Sequence, residues 1–268
     1  MNIEKVNINL SSIRKIAIQG INRTSLFMGL GLNAAYDEAF RDYDLTKITY
    51  IQLVPPDADE KTIAHFKEEF GFWIIECGLR ELIETFAVFL DKINEACVLM
   101  TRSREQTSNK NLPDSKEFLW KGIEKKLQLL REKFNVGPKN VDFLVSINQT
   151  RNCLVHRRGF VGTKDCRGTK ELTITWRGID LFVEVPSGEI IPLDRSTTQV
   201  GLPLPDGGTI KIKYSDRIRS FQKGARISLS AQDLAEICYY TLQVSDEIIN
   251  STVAYAKSIN IPVQDLAE

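Results

Sequence analysis

Two histidines and five cysteines are all that this chain of 268 residues brings to soft-metal or thiolate chemistry. The cysteines, Cys77, Cys97, Cys153, Cys166 and Cys238, are scattered and odd in number, with no CxxC pair and no ligand-like spacing to His65 or His156. That pattern excludes a disulfide framework and a zinc motif, and leaves reduced, mostly buried thiols. An excess of charge is missing too, because 35 lysines and arginines balance 35 aspartates and glutamates. No whole-molecule field draws the chain onto a polyanion or an anionic membrane, so any contact with nucleic acid has to be local. Long hydrophobic runs are absent, and the opening MNIEKVNINLSSIRK interleaves charge with its apolar residues, unlike a signal peptide. A cytoplasmic protein without membrane attachment is the expectation. P-loop, Rossmann, HExxH and GxSxG patterns are lacking, as are repeats and low-complexity tracts.

What is present is mostly helical periodicity. Residues 1–56 read as a mixed α/β segment packed on the rest: VNINL and ITYIQLV look like short strands, with a helical GLNAAYDEAFRDY between them. After Pro55 and Pro56, Asp57 or Asp59 is placed to cap a long helix starting near Glu60. Its apolar residues, among them Phe70, Trp73, Ile74, Leu82, Phe86, Phe89 and Ile93, recur every three or four positions as one wide core-facing stripe. The polar stretch Thr101 to Ser115 reads as a link, followed by one helix carrying Phe118, Leu119, Ile123, Leu127, Leu130 and Phe134. The lysines of KGIEKKLQLLREKF read as a solvated face, and Trp120 and Trp176 as core or sheet anchors. A further helix, Asn140 to Arg158, is closed by Gly159, where a left-handed cap is easiest for glycine. From about 170 to 229 the texture changes to period-two alternation with PSG and PDGG turns, the mark of a small antiparallel sheet. A last amphipathic helix follows, with Ser230 and Asp233 placed as a capping-box variant. The fold class is therefore mainly α (α+β), a helical bundle over 57–268 with a sheet inserted before its last helix.

The helix ending at Arg158 holds the chemistry. At about 100° per residue, Phe143, Ile147 and Leu154 form its core face, flanked by Leu144 and Val155. Asn148, Asn152 and His156 follow at i, i+4 and i+8 as a polar ridge joined by Gln149. Arg151 sits between the two faces, partly desolvated, and needs a carboxylate or a phosphate. Glu81 of the long helix is the expected carboxylate. Arg157 and Arg158 add two cations beside His156 in the last turn. His65 reads as a solvated or capping histidine.

The run Arg151-Asn152-Cys153-Leu154-Val155-His156, late in a helical bundle, resembles the R-x4-6-H motif of the HEPN superfamily in its common form with asparagine after the arginine. The resemblance covers about Asp57 to Gly159 and the last helix; the first fifty residues and the sheet lie outside it. It implies a bundle that forms a homodimer with two motifs facing each other, and metal-independent cleavage of RNA with no cofactor. Arg151, Asn152 and His156 would be catalytic, Arg157 and Arg158 would bind substrate phosphates, and Glu81 and Asn148 would support them. Products would carry 2′,3′-cyclic phosphate ends, in a toxin or phage-defence setting with an antitoxin or regulatory protein as partner. The competing reading is a non-catalytic helical dimer that binds a nucleotide, RNA or a protein, with the sheet as a docking platform.

Overall fold

A computed structural model describes residues 7–40, 58–104, 112–193 and 207–263. The expected class is what it shows: among these residues, six helices and a three-stranded antiparallel sheet inserted before the last helix. The N-terminal region differs from expectation. Helix α1 spans Leu10–Tyr36, and Asn9, in the stretch read as a strand, is its N-cap, with a side chain accepting from the Ser12 N–H at 2.9 Å. The helical repeat of Leu10, Ala17, Ile21, Met28 and Leu32 buries one face of α1, and that outweighs the short alternation before it. ITYIQLV lies outside the described residues.

Helix α2 runs from Glu60–Arg104, antiparallel to α1. Asp59 caps it, accepting from the Thr62 N–H at 2.8 Å. It continues through Thr101 to Arg104, into the stretch expected to be a link, and residues 105–111 lie outside the described residues. The single helix expected next is two: α3, Ser115–Leu119, and α4, Ile123–Phe134, with Gly122 as the N-cap of the second. The break turns Trp120 outward at 90% exposure, so it anchors nothing. It also turns Lys126 inward, where its ammonium meets Asp91 at 2.6 Å, instead of joining a solvated face.

Helix α5, Val141–Arg157, is followed by β1, Glu171–Glu184, β2, Ile190–Pro192, and β3, Thr209–Gln222, in the order β2-β1-β3. β1 and β3 pair along their whole length, from Glu171 opposite Gln222 to Glu184 opposite Thr209. Leu172, Ile174 and Trp176 alternate inward from β1 and are fully covered, with α5 and the final helix α6, Ala231–Ser258, packed against that strand. Trp176 is thus the core anchor expected of it. Its Nε1–H donates to Glu236 of α6 at 2.9 Å, and Arg217 of β3 binds both Glu236 and Asp180. These two carboxylates hold the Arg217 guanidinium well above its usual pKa. The α6 capping box forms as expected, with Ser230 Oγ accepting from the Asp233 N–H and Asp233 accepting from the Ser230 N–H. One apolar core joins Phe86, Phe89 and Ile93 of α2 with Leu144 and Ile147 of α5 and Ile237 and Ile248 of α6. No helix among the described residues is long and apolar enough to cross a membrane.

Candidate functional site

The polar end of α5 is set by the helix's own pattern. Leu144, Ile147, Thr150, Cys153 and Leu154 are buried, whereas Phe143 is only half-covered, its ring 5.8 Å from that of Tyr240. Arg151 therefore sits where expected, at the border of the core face, with a side chain 20% exposed. Its Nη1 donates to Asn152 Oδ1 at 2.9 Å and its Nη2 to Glu84 Oε1 of α2 at 3.1 Å. Its Nε is shielded from solvent and has no acceptor among the described residues. The expected partner, Glu81, is instead 3.6 Å from Arg23 of α1. The rotation of α2 decides this: Glu81 faces α1, and Glu84 faces α5.

Asn152 is half-buried, and His156, one turn further on, is exposed. Asn148 lies one turn earlier, half-buried, with no hydrogen bond or ion pair among the described residues. The ridge Asn148, Asn152, His156 is thus the solvent side of α5, with Arg151 at its edge.

The two arginines after His156 part ways. Arg157 is not a free phosphate anchor: its guanidinium forks onto Asp165, with Nε to Oδ2 at 2.7 Å and Nη2 to Oδ1. Asp165 is buried and also accepts from the Gly162 N–H at 2.8 Å, so the pair locks the turn after α5. Asp165 holds the Arg157 guanidinium above its usual pKa. Burial, and secondarily the same carboxylate, pushes the neighbouring Cys153 thiol up to about 11, which leaves it inert. Arg158 is exposed and forms no ion pair among the described residues. It is also the helix cap, in the left-handed region at φ 51, with Gly159 following at φ 78. The chain then pairs with the segment after β3: Val161 N–H donates to Ala225 O and Ile227 N–H to Gly159 O, both at 2.9 Å.

That pairing places Arg226 beside the end of α5. Its guanidinium lies 3.5 Å from the Phe72 ring centre and 5.5 Å from that of Phe160, and it binds Glu69 through both terminal nitrogens. Arg226 draws the Glu69 carboxyl below its usual pKa. A groove of about 490 Å³ opens here between α2, the end of α5 and Arg226. Phe66 and Trp73, on its α2 wall, are 48% and 56% exposed. Trp73 therefore leaves the core stripe assigned to it.

The sequence reading missed Glu84, Arg226 and this aromatic wall. A signal for the wall was present. At about 100° per residue, Phe66, Phe70 and Trp73 fall opposite Ile75, Leu79, Leu82 and Phe86, so the wide stripe is two stripes. Nothing local marked Arg226, which arrives by tertiary pairing.

No family model matches the chain, and no curated protein or solved structure does either.

Proposed function

We propose that the chain is a metal-independent endoribonuclease of the HEPN type, working as a homodimer, with Arg151, Asn152 and His156 as catalytic residues. One observation carries the reading: the Arg151 guanidinium is fixed between Asn152 and Glu84, five residues before an exposed imidazole on the same helix. An exposed base and a positioned guanidinium on one helix are the groups that phosphodiester cleavage uses.

In the proposed reaction the imidazole of His156 takes the proton of a ribose 2′-hydroxyl. The 2′-oxygen bonds to the adjacent phosphorus, the bond to the 5′-oxygen breaks, and that oxygen leaves with its electron pair and takes up a proton. Arg151 stabilises the charge on the crowded phosphorane. Asn152 orients the guanidinium and, through it, the phosphate. Arg158, which forms no ion pair among the described residues, anchors a neighbouring phosphate, a role Arg157 gives up to Asp165. Products are a 2′,3′-cyclic phosphate and a 5′-hydroxyl, and DNA, lacking the nucleophile, is spared. The biological role we assign is that of a toxin or phage-defence nuclease with a regulatory protein as partner.

A non-catalytic dimer is the second reading, and the ion pairs favour it: Arg151 with Glu84 and Arg157 with Asp165 are also packing contacts between elements. Incubation of the protein with end-labelled single-stranded RNA in EDTA separates the two. Cleavage that stops in His156→Ala and Arg151→Ala, each with an unchanged melting temperature, is the expected result. Absence of cleavage, or its persistence in both folded variants, removes the nuclease reading.

A further inference from the structure

We propose that the groove beside the candidate site is a nucleobase subsite that holds one unpaired guanine of the RNA. The proposal rests on the nuclease reading for its substrate class and adds a determinant of sequence preference.

The groove follows one face of α2. Phe66, Trp73 and Glu84 repeat at i, i+7 and i+18, within about 20° of one another around the helix, so the aromatic wall and the carboxylate that holds Arg151 share a side. From Glu76, which also lines the groove, to Glu84 is about 12 Å along the axis, a separation of one to two nucleotides. On the opposite wall Val155 and Arg158 bracket the last turn of α5, which contains His156. Arg151 lies on the same side of α5 as Val155 and Arg158, so a strand with its scissile phosphate at Arg151 runs on past Arg158 and into the groove, while His156, about 100° round the helix from Val155, does not line it.

The lining fits a base better than a protein side chain or a phosphate. Trp73 stacks with Phe70, centroids 6.1 Å apart at 20°, and presents an exposed indole. Exposed aromatic faces are how single-stranded RNA is held without pairing. The charges sum to zero: Arg226 is occupied by Glu69, which leaves Arg158 for a backbone phosphate and Glu76 inside the groove. Glu76 forms no hydrogen bond or ion pair among the described residues. A carboxylate accepts two parallel N–H bonds, and only guanine offers that pair, N1–H and N2–H, on one edge. Adenine meets the same carboxylate with one donor and a repelling N1 lone pair. The volume suits a single planar ligand.

Binding, separated from cleavage, tests this. Short single-stranded oligonucleotides made wholly of 2′-O-methyl nucleotides cannot be cut by 2′-hydroxyl attack. A set of pentamers, with guanine, inosine or adenine at the centre of a uridine run, is titrated onto the protein by fluorescence anisotropy. The expected order is guanine over inosine over adenine, with Trp73→Ala weakening the guanine oligonucleotide about tenfold or more. Glu76→Gln, at an unchanged melting temperature, is expected to erase the guanine preference, because the amide loses one of the two acceptors and offers a donor to adenine N1. Pairing the central guanine to a complementary strand is expected to weaken binding by a similar factor. Equal binding of guanine and adenine, no loss in Trp73→Ala, or no binding by the wild type overturns the subsite. If the subsite binds as described while unmodified RNA stays intact, the nuclease reading fails and the subsite stands. If RNA is cut without regard to Trp73 and Glu76, the reverse holds.

Discussion

Arg151 shows what a single side chain is asked to do. Its planar fork reaches Asn152 with one nitrogen and Glu84 with another, which an ammonium on a flexible stem cannot reproduce in one geometry. Arg151→Lys keeps the positive charge and is expected to keep the fold, since Glu84 is more than half exposed and the ion pair is worth no more than about 1 kcal/mol. RNA cleavage is nonetheless expected to fall by about 100-fold or more, as for loss of one oriented donor to a developing oxyanion. A melting curve beside a cleavage assay checks both halves. Lys126 makes the contrasting case, a charge buried for structure. Burial pushes the Asp91 carboxyl above its usual pKa, and the Lys126 ammonium opposes that shift. An acid whose pKa is raised on folding favours the folded state when protonated and loses that contribution as pH rises. Lys126→Met is therefore expected to cost about 3–5 kcal/mol near neutrality, where it leaves a buried carboxylate unpaired. The cost relative to wild type should shrink as pH falls below neutrality and Asp91 takes up its proton, read by urea unfolding at neutral and acidic pH.

Helices α1 and α2 meet through small residues, and the closeness of the approach is testable. A Cβ built on Gly20 would stand 1.9 Å from Thr85 Cγ2 and 2.7 Å from its Cβ, and a β-branched side chain on a helix has little room to rotate away. Gly20→Ala gains about 1 kcal/mol of helix propensity but costs about 1–3 kcal/mol in overpacking, so the melting temperature is expected to fall. A rise would mean that the two helices separate easily. At this scale much of the fold was legible in the sequence. The start of α2 at Glu60, the capping box of α6, the alternation of β1 and the extent of α5 all come from local signals of cap and period. The failures share a cause. Gly122 breaking α3 from α4, Lys126 turning inward and Glu84 rather than Glu81 meeting Arg151 depend on how elements rotate against one another. Periodicity finds a helix's faces but does not say which neighbour each face meets.

For the whole molecule, zero net charge leaves no global field to draw in a polyanion, so the proposed function rests on local features, the end of α5 and the α2 face beside it. The thiols stay out of it: all five are free, and four are buried. Burial pushes Cys97 and Cys238 up to about 12, so the folded protein is expected to resist alkylation at both near neutral pH and to react at both once unfolded, as read by mass spectrometry. Dimerisation, which the nuclease reading requires, is expected to show as a mass near twice 30.4 kDa by light scattering. The composition made the local nature of recognition legible; the groove, assembled from α2, α5 and the segment after β3, was not, because its walls are far apart in sequence. The measurement that tests the proposed activity most directly is end-group analysis of a single-stranded RNA cut in EDTA, beside the same RNA carrying one 2′-deoxyribose at the scissile position. A 2′,3′-cyclic phosphate from the first and no cut at that position in the second are the results the mechanism predicts. A 3′-hydroxyl product, or a cut beside the deoxyribose, would contradict 2′-hydroxyl attack by way of His156.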